Sequence, residues 1–125
     1  MTGVTLALAV LLADLPLLRP ETLESALKTL GSVVLAPSAS DAGTNLLLRR
    51  PPRVIGARFG RESFAKHVHG ARTRGLPIAV VHDEELTTDL DLPGDLLTAL
   101  AAGRPGRTRD TLLEVDAAAR LAAPA

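Results

Sequence analysis

Three aspartates of the sequence lie where apolar segments end. Asp14 comes directly after the apolar run 4–13, and Asp89 and Asp91 flank Leu90. A carboxylate beside a buried strand is expensive to bury without a partner, so Asp14 is expected to face a cleft or a cation. In extended backbone, residues two apart point to the same side, so Asp89 and Asp91 would converge and repel unless a cation lay between them. Mg²⁺ accepts a few carboxylates together with phosphate oxygens. The pattern therefore predicts a divalent-metal site that serves a phosphorylated ligand.

Each of these aspartates also has an ordinary structural interpretation. Aspartate is common in turns, and Asp14 stands two residues before Pro16. Asp91 would equally suit the cap of a helix that begins at Pro93. An Asp-x-Asp motif is weak evidence of a metal site when taken alone, and the occurrence of Asp14 at a neighbouring strand end strengthens it.

Two segments of the sequence offer hydrogen-bond donors to an anion. Gly60 and Ser63 open a predicted helix, where free backbone N–H groups and the helix dipole favour anions and a glycine permits close approach. Thr44 and Asn45 follow Gly43 in a turn, where backbone and side-chain donors could meet the same ligand. The competing interpretations are a helix N-cap for Ser63 and an ordinary turn at residues 43–45.

Alternating strand and helix patterns predict a mixed α/β sheet layered with helices. The run at residues 5–13 is apolar at nearly every position, which is typical of a strand buried on both faces. The full prediction is strands over 5–13, 32–36, 45–49 and 77–81, helices over 20–30, 61–74, 93–102 and 109–122, and loops that include 37–44, 50–58 and 83–88. Pro20 suits the first position of the first helix, and one apolar face is predicted on each of the first two helices, Leu23, Ala26, Leu27 and Leu30 on the first and Phe64, Val68 and Ala71 on the second.

Composition excludes several classes of function. The chain has 125 residues, which fits one domain, and its 14 basic and 14 acidic residues give no net field to attract nucleic acid or anionic membrane. Aromatic residues make up 2%, too few for stacking with single-stranded nucleic acid. The apolar run 4–13 is shorter than the ~20 residues that span a bilayer. No cysteine is present, and a cytoplasmic location is the default expectation.

The histidines do not form a metal motif. His67 and His69 are two apart on a predicted helix and therefore point to different faces. His82 follows a predicted strand, and no role is assigned to it. The sequence contains no P-loop, no Cys–His cluster and no Ser-His-Asp order.

Between about residues 9 and 97, the order and spacing of these motifs resemble a known family. It is the 2-phospho-L-lactate or phosphoenolpyruvate guanylyltransferases of coenzyme F(420) biosynthesis, which load a phosphorylated three-carbon acid with GMP. The matching stretches are Ala13-Asp14-Leu15-Pro16-Leu17, Ala36-Pro37-Ser38 with Gly43-Thr44-Asn45-Leu46-Leu47-Leu48, Phe59-Gly60-x-x-Ser63-Phe64 with His67, and Asp89-Leu90-Asp91-x-Pro93.

The resemblance implies a Rossmann-like nucleotidyltransferase fold of the glycosyltransferase-A type. It implies that Mg²⁺ is held by Asp14, Asp89 and Asp91, and that Thr44, Gly60 and Ser63 lie near the acceptor's phosphate. The substrates would be GTP and a small phosphorylated acid, and pyrophosphate would leave. Residues 1–103 would form the acceptor- and metal-binding part, and 104–125 a tail.

The sequence departs from the family in two respects. Residues 40–42 read Ser-Asp-Ala where the family carries more glycine. The family's N-terminal nucleotide-binding portion, with its glycine-bearing loop, has no counterpart. Two alternatives therefore remain, a non-catalytic remnant that associates into homo-oligomers through an exposed sheet edge, and a nucleotidyltransferase with another phosphorylated acceptor.

Overall fold

The computed structural model describes residues 6–89, which form a four-stranded mixed sheet with helices on both faces. The strand order is β1-β3-β2-β4, in which β3 is antiparallel to β1 and β2, and β4 is parallel to β2. This arrangement confirms the predicted mixed α/β class. In chain order the elements are β1 (Leu8–Leu11), α1 (Pro20–Leu27), β2 (Val33–Pro37), β3 (Thr44–Arg49), α2 (Ser63–Thr73), β4 (Ile78–Val80) and α3 (Glu84–Thr87).

Side-chain alternation divides the core between the two faces of the sheet. One face packs against α1 and α3, and the other packs against α2. The α1/α3 face buries Leu15, Ala26, Ala36, Leu46 and Leu86, whereas the α2 face buries Val33, Leu35, Leu47, Ile55 and Ala71. As the helical pattern predicts, Phe64 and Val68 accompany Ala71 on the α2 face.

A β-bulge interrupts the pairing of β2 with β3. Ala36 pairs with Leu46, but Pro37 pairs with Thr44, so Asn45 is the extra residue. A bulge shifts the alternation of side chains by one residue. Without it, Thr44 would face the same side as Leu46; with it, the Thr44 side chain reaches α2.

The first strand is shorter and more exposed than the sequence predicts. β1 covers only Leu8–Leu11 and lies at the sheet edge, where Leu8 is 45% exposed. The expectation of a strand buried on both faces is wrong for the described chain, because β1 pairs with β3 alone. The predicted buried strand at 77–81 is likewise the short edge strand β4, with Val80 37% exposed.

Helix α1 ends three residues before the predicted boundary at Leu30. The Arg50 guanidinium donates to the carbonyls of Leu27, Thr29 and Gly31, at 2.6, 2.9 and 3.0 Å. Carbonyls at a helix C-terminus lack intrahelical partners, and a basic side chain satisfies them well. Leu30 is consequently 89% exposed rather than part of the predicted apolar face.

The predicted loop 83–88 contains the short helix α3. Asp83 caps it, because its carboxylate accepts a hydrogen bond from the Glu85 N–H at 2.9 Å. Four residues are too few to show helical periodicity in sequence. No helix within residues 6–89 is long and apolar enough to cross a bilayer. The predicted helices 93–102 and 109–122 lie outside the described residues.

Candidate functional site

The ends of β1 and β2 and the start of β3 lie side by side at one end of the sheet, and this places the predicted site segments at that end. Leu46 of β3 pairs with Leu11 on one side and with Ala36 on the other. Because β3 is antiparallel to both β1 and β2, the segments that follow β1 and β2 lie beside the start of β3. Asp14 follows β1, and Thr44 begins β3.

Asp14 lies half-buried after β1 and has an oxygen without a hydrogen-bond donor. Its Oδ1 is buried from solvent and has no partner in the described chain. A desolvated carboxylate oxygen without a donor is costly, and a cation is one group that offsets the cost. The donor chemistry of Asp14 therefore fits a hard divalent metal ion.

Asp89 is 5% exposed and is bound by hydroxyl groups of the loop that follows β2. Ser38 Oγ lies 2.9 and 3.0 Å from its two carboxylate oxygens, and Ser40 Oγ lies 3.1 Å from one of them. These contacts fix the orientation of the carboxylate. Across residues 6–89, no three acidic, histidine or cysteine side chains are grouped as a metal site. Asp91 falls outside this range.

The hydroxyls of Thr44 and Ser63 form a buried cluster with His67. Thr44 Oγ1 lies 3.0 Å from Ser63 Oγ and 2.8 Å from His67 Nδ1. On the other side of the ring, the Arg58 backbone N–H donates to His67 Nε2 at 2.8 Å. The bulge that turns Thr44 toward α2 is what allows this cluster to form.

The surroundings of His67 favour its neutral form. Burial lowers the pKa of His67, and the positive charge of Arg49 lowers it further. The Phe59 ring meets the imidazole edge-on, with 5.5 Å between the ring centroids. His67 is buried and His69 is exposed, so the two side chains lie on different faces of α2, as the helical spacing predicts. The sequence did not predict that His67 binds Thr44 in a buried cluster, although His67 is one of the residues in the matching motifs.

The start of α2 is joined to the loop 41–43 by backbone hydrogen bonds. Glu62 N–H donates to the Asp41 carbonyl and Phe64 N–H to the Ala42 carbonyl, at 3.1 and 3.2 Å. Ser63 N–H donates to the Gly60 carbonyl at 3.1 Å. The expectation of free amides at this helix start is therefore wrong for these three groups. Gly60 itself is exposed.

Asn45 is separated from the other predicted donors. As the extra residue of the bulge, it lies on the α1/α3 face, where its Nδ2 donates to the Leu86 carbonyl at 2.9 Å. Its side chain is fully buried, and its Oδ1 has no partner within the described residues. Asn45 thus connects β3 to α3, while Thr44 beside it contacts α2.

An open groove along α2 has a volume of about 570 Å³. Its cationic lining includes Arg58, Lys66 and Arg74. None of the predicted site residues lines it. The candidate site is identified by the polar residues that cluster at the strand ends, and not by the size of this groove.

Replacing Gly60 with alanine is expected to lower the free energy of unfolding by about 1–2 kcal/mol. Gly60 has φ +121°, a region that L-residues rarely adopt, although a Cβ there would meet no atom within 4 Å. The loss of stability would therefore come from backbone strain at residue 60 and not from a steric clash of the new side chain. Gly56→Ala is the control, since a Cβ at that position also meets nothing within 4 Å and the backbone is not left-handed. Urea unfolding measures both variants, and equal stabilities would contradict the prediction.

Several curated proteins align with most of this chain. It is 40% identical over 91 residues to a phosphoenolpyruvate guanylyltransferase of Sphaerobacter thermophilus, covering 71% of this chain and 44% of that protein. It is 38% identical over 91 residues to a 2-phospho-L-lactate guanylyltransferase of Methanothrix thermoacetophila, covering 73% and 40%. A 3-phospho-D-glycerate guanylyltransferase of Phenylobacterium zucineum is 36% identical over 104 residues, covering 82% and 48%.

The chain therefore spans about half the length of the curated relatives it matches. A family model described as "Guanylyl transferase CofC like" matches residues 4–121, which is nearly the whole sequence. The match includes all three strand ends that form the candidate site. The chain belongs to the CofC-like guanylyl transferase family.

Proposed function

We propose that this chain takes part in guanylyl transfer from GTP to a phosphorylated three-carbon acid. An oxygen of the acceptor's phosphate attacks the α-phosphorus of GTP, a new P–O bond forms, and the bond to the β-phosphate breaks. Pyrophosphate leaves with the bonding electrons. The acceptor phosphate is already an anionic nucleophile, so the reaction requires positioning and charge neutralisation rather than a strong base.

The observation that carries this proposal is that Asp14, Ser38 and Thr44 lie at the same end of the sheet in a chain of this family. The Ser38 hydroxyl donates a hydrogen bond to Asp89 and so places Asp89 at that end as well. The three relatives are all guanylyltransferases, and they differ in the phospho-acid that their names give. Because the guanylyl group is common to the three names and the acceptor differs, the names support guanylyl transfer more strongly than they support any one acceptor. The mixed sheet with helices on both faces is compatible with a Rossmann-like fold of the glycosyltransferase-A type.

Mg²⁺ is the cofactor that the residues fit best. Asp14 and Asp89 would hold it, together with Asp91, which falls beyond the described residues. The unpartnered buried Oδ1 of Asp14 supports this assignment, as does the hydroxyl-bound, oriented carboxylate of Asp89. When bound, the ion would offset the negative charge that accumulates on the phosphates.

The acceptor's phosphate is proposed to bind at Thr44, Gly60 and Ser63. Gly60 offers an exposed backbone without a side chain, and Ser63 begins α2 one turn away. Arg58 and Arg61 flank Gly60 and are exposed, so they add positive charge for an anion. Asn45 was proposed at the sequence level for the same role, and its side chain would have to leave the Leu86 carbonyl to take part.

Pyrophosphate release by the purified chain tests the proposal. The chain is supplied with GTP, Mg²⁺ and, in turn, phosphoenolpyruvate, 2-phospho-L-lactate or 3-phosphoglycerate, with a sugar 1-phosphate as the acceptor control. We expect release that requires both Mg²⁺ and one of the three acids. A folded chain that releases pyrophosphate with none of them would contradict the proposed function. Release with the sugar phosphate alone would assign a different acceptor class.

A further inference from the structure

The hydrogen bonds around His67 determine where its proton lies. A backbone N–H can only donate, so the Arg58 N–H, at 2.8 Å, requires a lone pair on His67 Nε2. A neutral imidazole with an unprotonated Nε2 carries its proton on Nδ1. His67 Nδ1–H must then donate to Thr44 Oγ1, 2.8 Å away.

This proton assignment leaves one hydroxyl proton of the cluster without an acceptor. Thr44 Oγ1 and Ser63 Oγ lie 3.0 Å apart, and the hydrogen bond between them uses the proton of one hydroxyl, whichever of the two donates. A hydroxyl oxygen has two lone pairs, so Thr44 can also accept from His67 and from Ser63 together. Within residues 6–89, Thr44 is the only hydrogen-bond partner of the Ser63 hydroxyl. When Thr44 donates to Ser63, the proton without an acceptor among the described residues is that of Ser63.

The opposite tautomer would remove this donor. If Nε2 carried the proton, Nδ1 would accept from Thr44, and Thr44 would in turn accept from Ser63. The Ser63 proton would then be used inside the cluster. The Arg58 N–H prevents this arrangement, because two donors would face each other across 2.8 Å.

We propose that His67 is a positioning residue that makes the Ser63 hydroxyl available as a hydrogen-bond donor to a phosphate oxygen of the acceptor. The Thr44 and Ser63 side chains are both buried, and a buried donor without an acceptor is rare in proteins. We assign the available proton to Ser63 because Ser63 is close in sequence to Gly60, where the phosphate is proposed to bind. A phosphate oxygen bound there would supply the missing acceptor. The inference rests on the proposed function, since it assigns the ligand oxygen to the phospho-acid. The lowered pKa of His67 supports it, because the neutral ring is the form required near pH 7.

The tautomer of His67 can be measured without any ligand. Nitrogen-15 NMR of the full chain near pH 7 distinguishes a protonated from an unprotonated ring nitrogen. We expect His67 Nδ1 to be protonated and Nε2 to be unprotonated. A protonated Nε2 would overturn the inference, whatever the activity of the chain.

A double-mutant cycle tests whether His67 acts through Ser63. Calorimetry measures the Kd of the phospho-acid that supports pyrophosphate release, in the presence of Mg²⁺. His67→Gln places an amide near the position of Nε2, where it can bind the Arg58 N–H but does not reach Thr44. We expect His67→Gln and Ser63→Ala each to raise Kd about tenfold, and the double variant to raise it no further. His67→Asn, whose amide lies near the position of Nδ1 and can donate to Thr44, should recover most of the affinity.

The outcomes separate the inference from the proposed function. Wild-type binding with additive single effects, or with equal losses for His67→Asn and His67→Gln, would overturn the role of His67 and leave the proposed function intact. A wild-type chain that binds none of the three phospho-acids would reject the proposed function and this inference together. Circular dichroism of each variant confirms that the cycle compares folded proteins.

Discussion

Replacing Asp14 with asparagine is expected to abolish the proposed guanylyl transfer while leaving the protein at least as stable as the wild type. The Asp14 Oδ1 is buried without a hydrogen-bond donor, so the charge contributes nothing to folding through that atom. Neutralising an uncompensated carboxylate should change the free energy of unfolding by between zero and about 1 kcal/mol in the stabilising direction. Loss of a proposed metal ligand should reduce pyrophosphate release by at least about 100-fold.

Asp89→Asn is the matched comparison for Asp14→Asn. It makes the same chemical change at a carboxylate that Ser38 and Ser40 bind. We expect it to lose activity as well, but also to lose stability, because the carboxylate acceptors of these hydroxyls are altered. Pyrophosphate release and urea unfolding of both variants provide the measurement. An Asp14→Asn chain that is active, or clearly less stable than the wild type, would contradict the assignment of Asp14 to the metal site.

Replacing Glu85 with alanine is expected to lower the free energy of unfolding at pH 7 by about 2 kcal/mol. Glu85 is 4% exposed and joins α3 to the start of α1. Its carboxylate accepts from the Arg19 backbone N–H at 2.9 Å and from Thr22 Oγ1 at 2.7 Å, and Arg19 Nη2 lies 2.8 Å away. The Arg19 side chain is largely exposed, which keeps the expected effect below that of a fully buried ion pair.

The effect of Glu85 on stability should depend on pH. Burial alone would raise the pKa of Glu85, but the hydrogen bonds from Arg19 and Thr22 and the charge of Arg19 outweigh it and lower the pKa from 4.5 to about 2. In this range the unfolded chain binds the proton more readily than the folded chain. The stabilisation is therefore complete above pH 4.5 and is lost as the pH falls towards about 2. The stability difference between wild type and Glu85→Ala should shrink over the same range.

Glu24→Ala provides the control for Glu85→Ala. Glu24 of α1 forms an exposed i,i+4 ion pair with Lys28, the C-cap residue of that helix, with 2.9 Å between charged atoms. Exposed pairs of this kind contribute little, so the stability at pH 7 should change by less than about 0.5 kcal/mol. Urea unfolding at several pH values compares the two variants. A pH-independent loss in Glu85→Ala would show that packing, rather than charge, connects α3 to α1.

Local sequence patterns predicted where helices and strands lie better than they predicted what surrounds each element in the fold. Pro20 at the start of α1 and the Phe64, Val68 and Ala71 face of α2 depend on neighbours in the chain, and the structure confirms them. The exposure of β1 was not predictable from its composition. An apolar run of residues fits a central strand and an edge strand equally well, and only the pairing of the strands distinguishes the two positions.

The ends of α1 show why helix boundaries were harder to predict. Its start is bound by Glu85, and its end is bound by Arg50. Neither side chain is near the helix in sequence, since 66 residues separate Glu85 from Arg19 and 21 separate Arg50 from Thr29. Rules based on flanking residues cannot include such partners.

The sequence by itself determined the family, the mixed α/β class, and the residue types available for binding a metal and a phosphate. Only the tertiary structure decided how those residues are used. Thr44 and Asn45 are neighbours with similar polar side chains, yet the bulge directs Thr44 to His67 on α2 and leaves Asn45 bound to Leu86 on the opposite face. The physical reason is that a bulge depends on how two strands align, which a single strand's sequence does not specify.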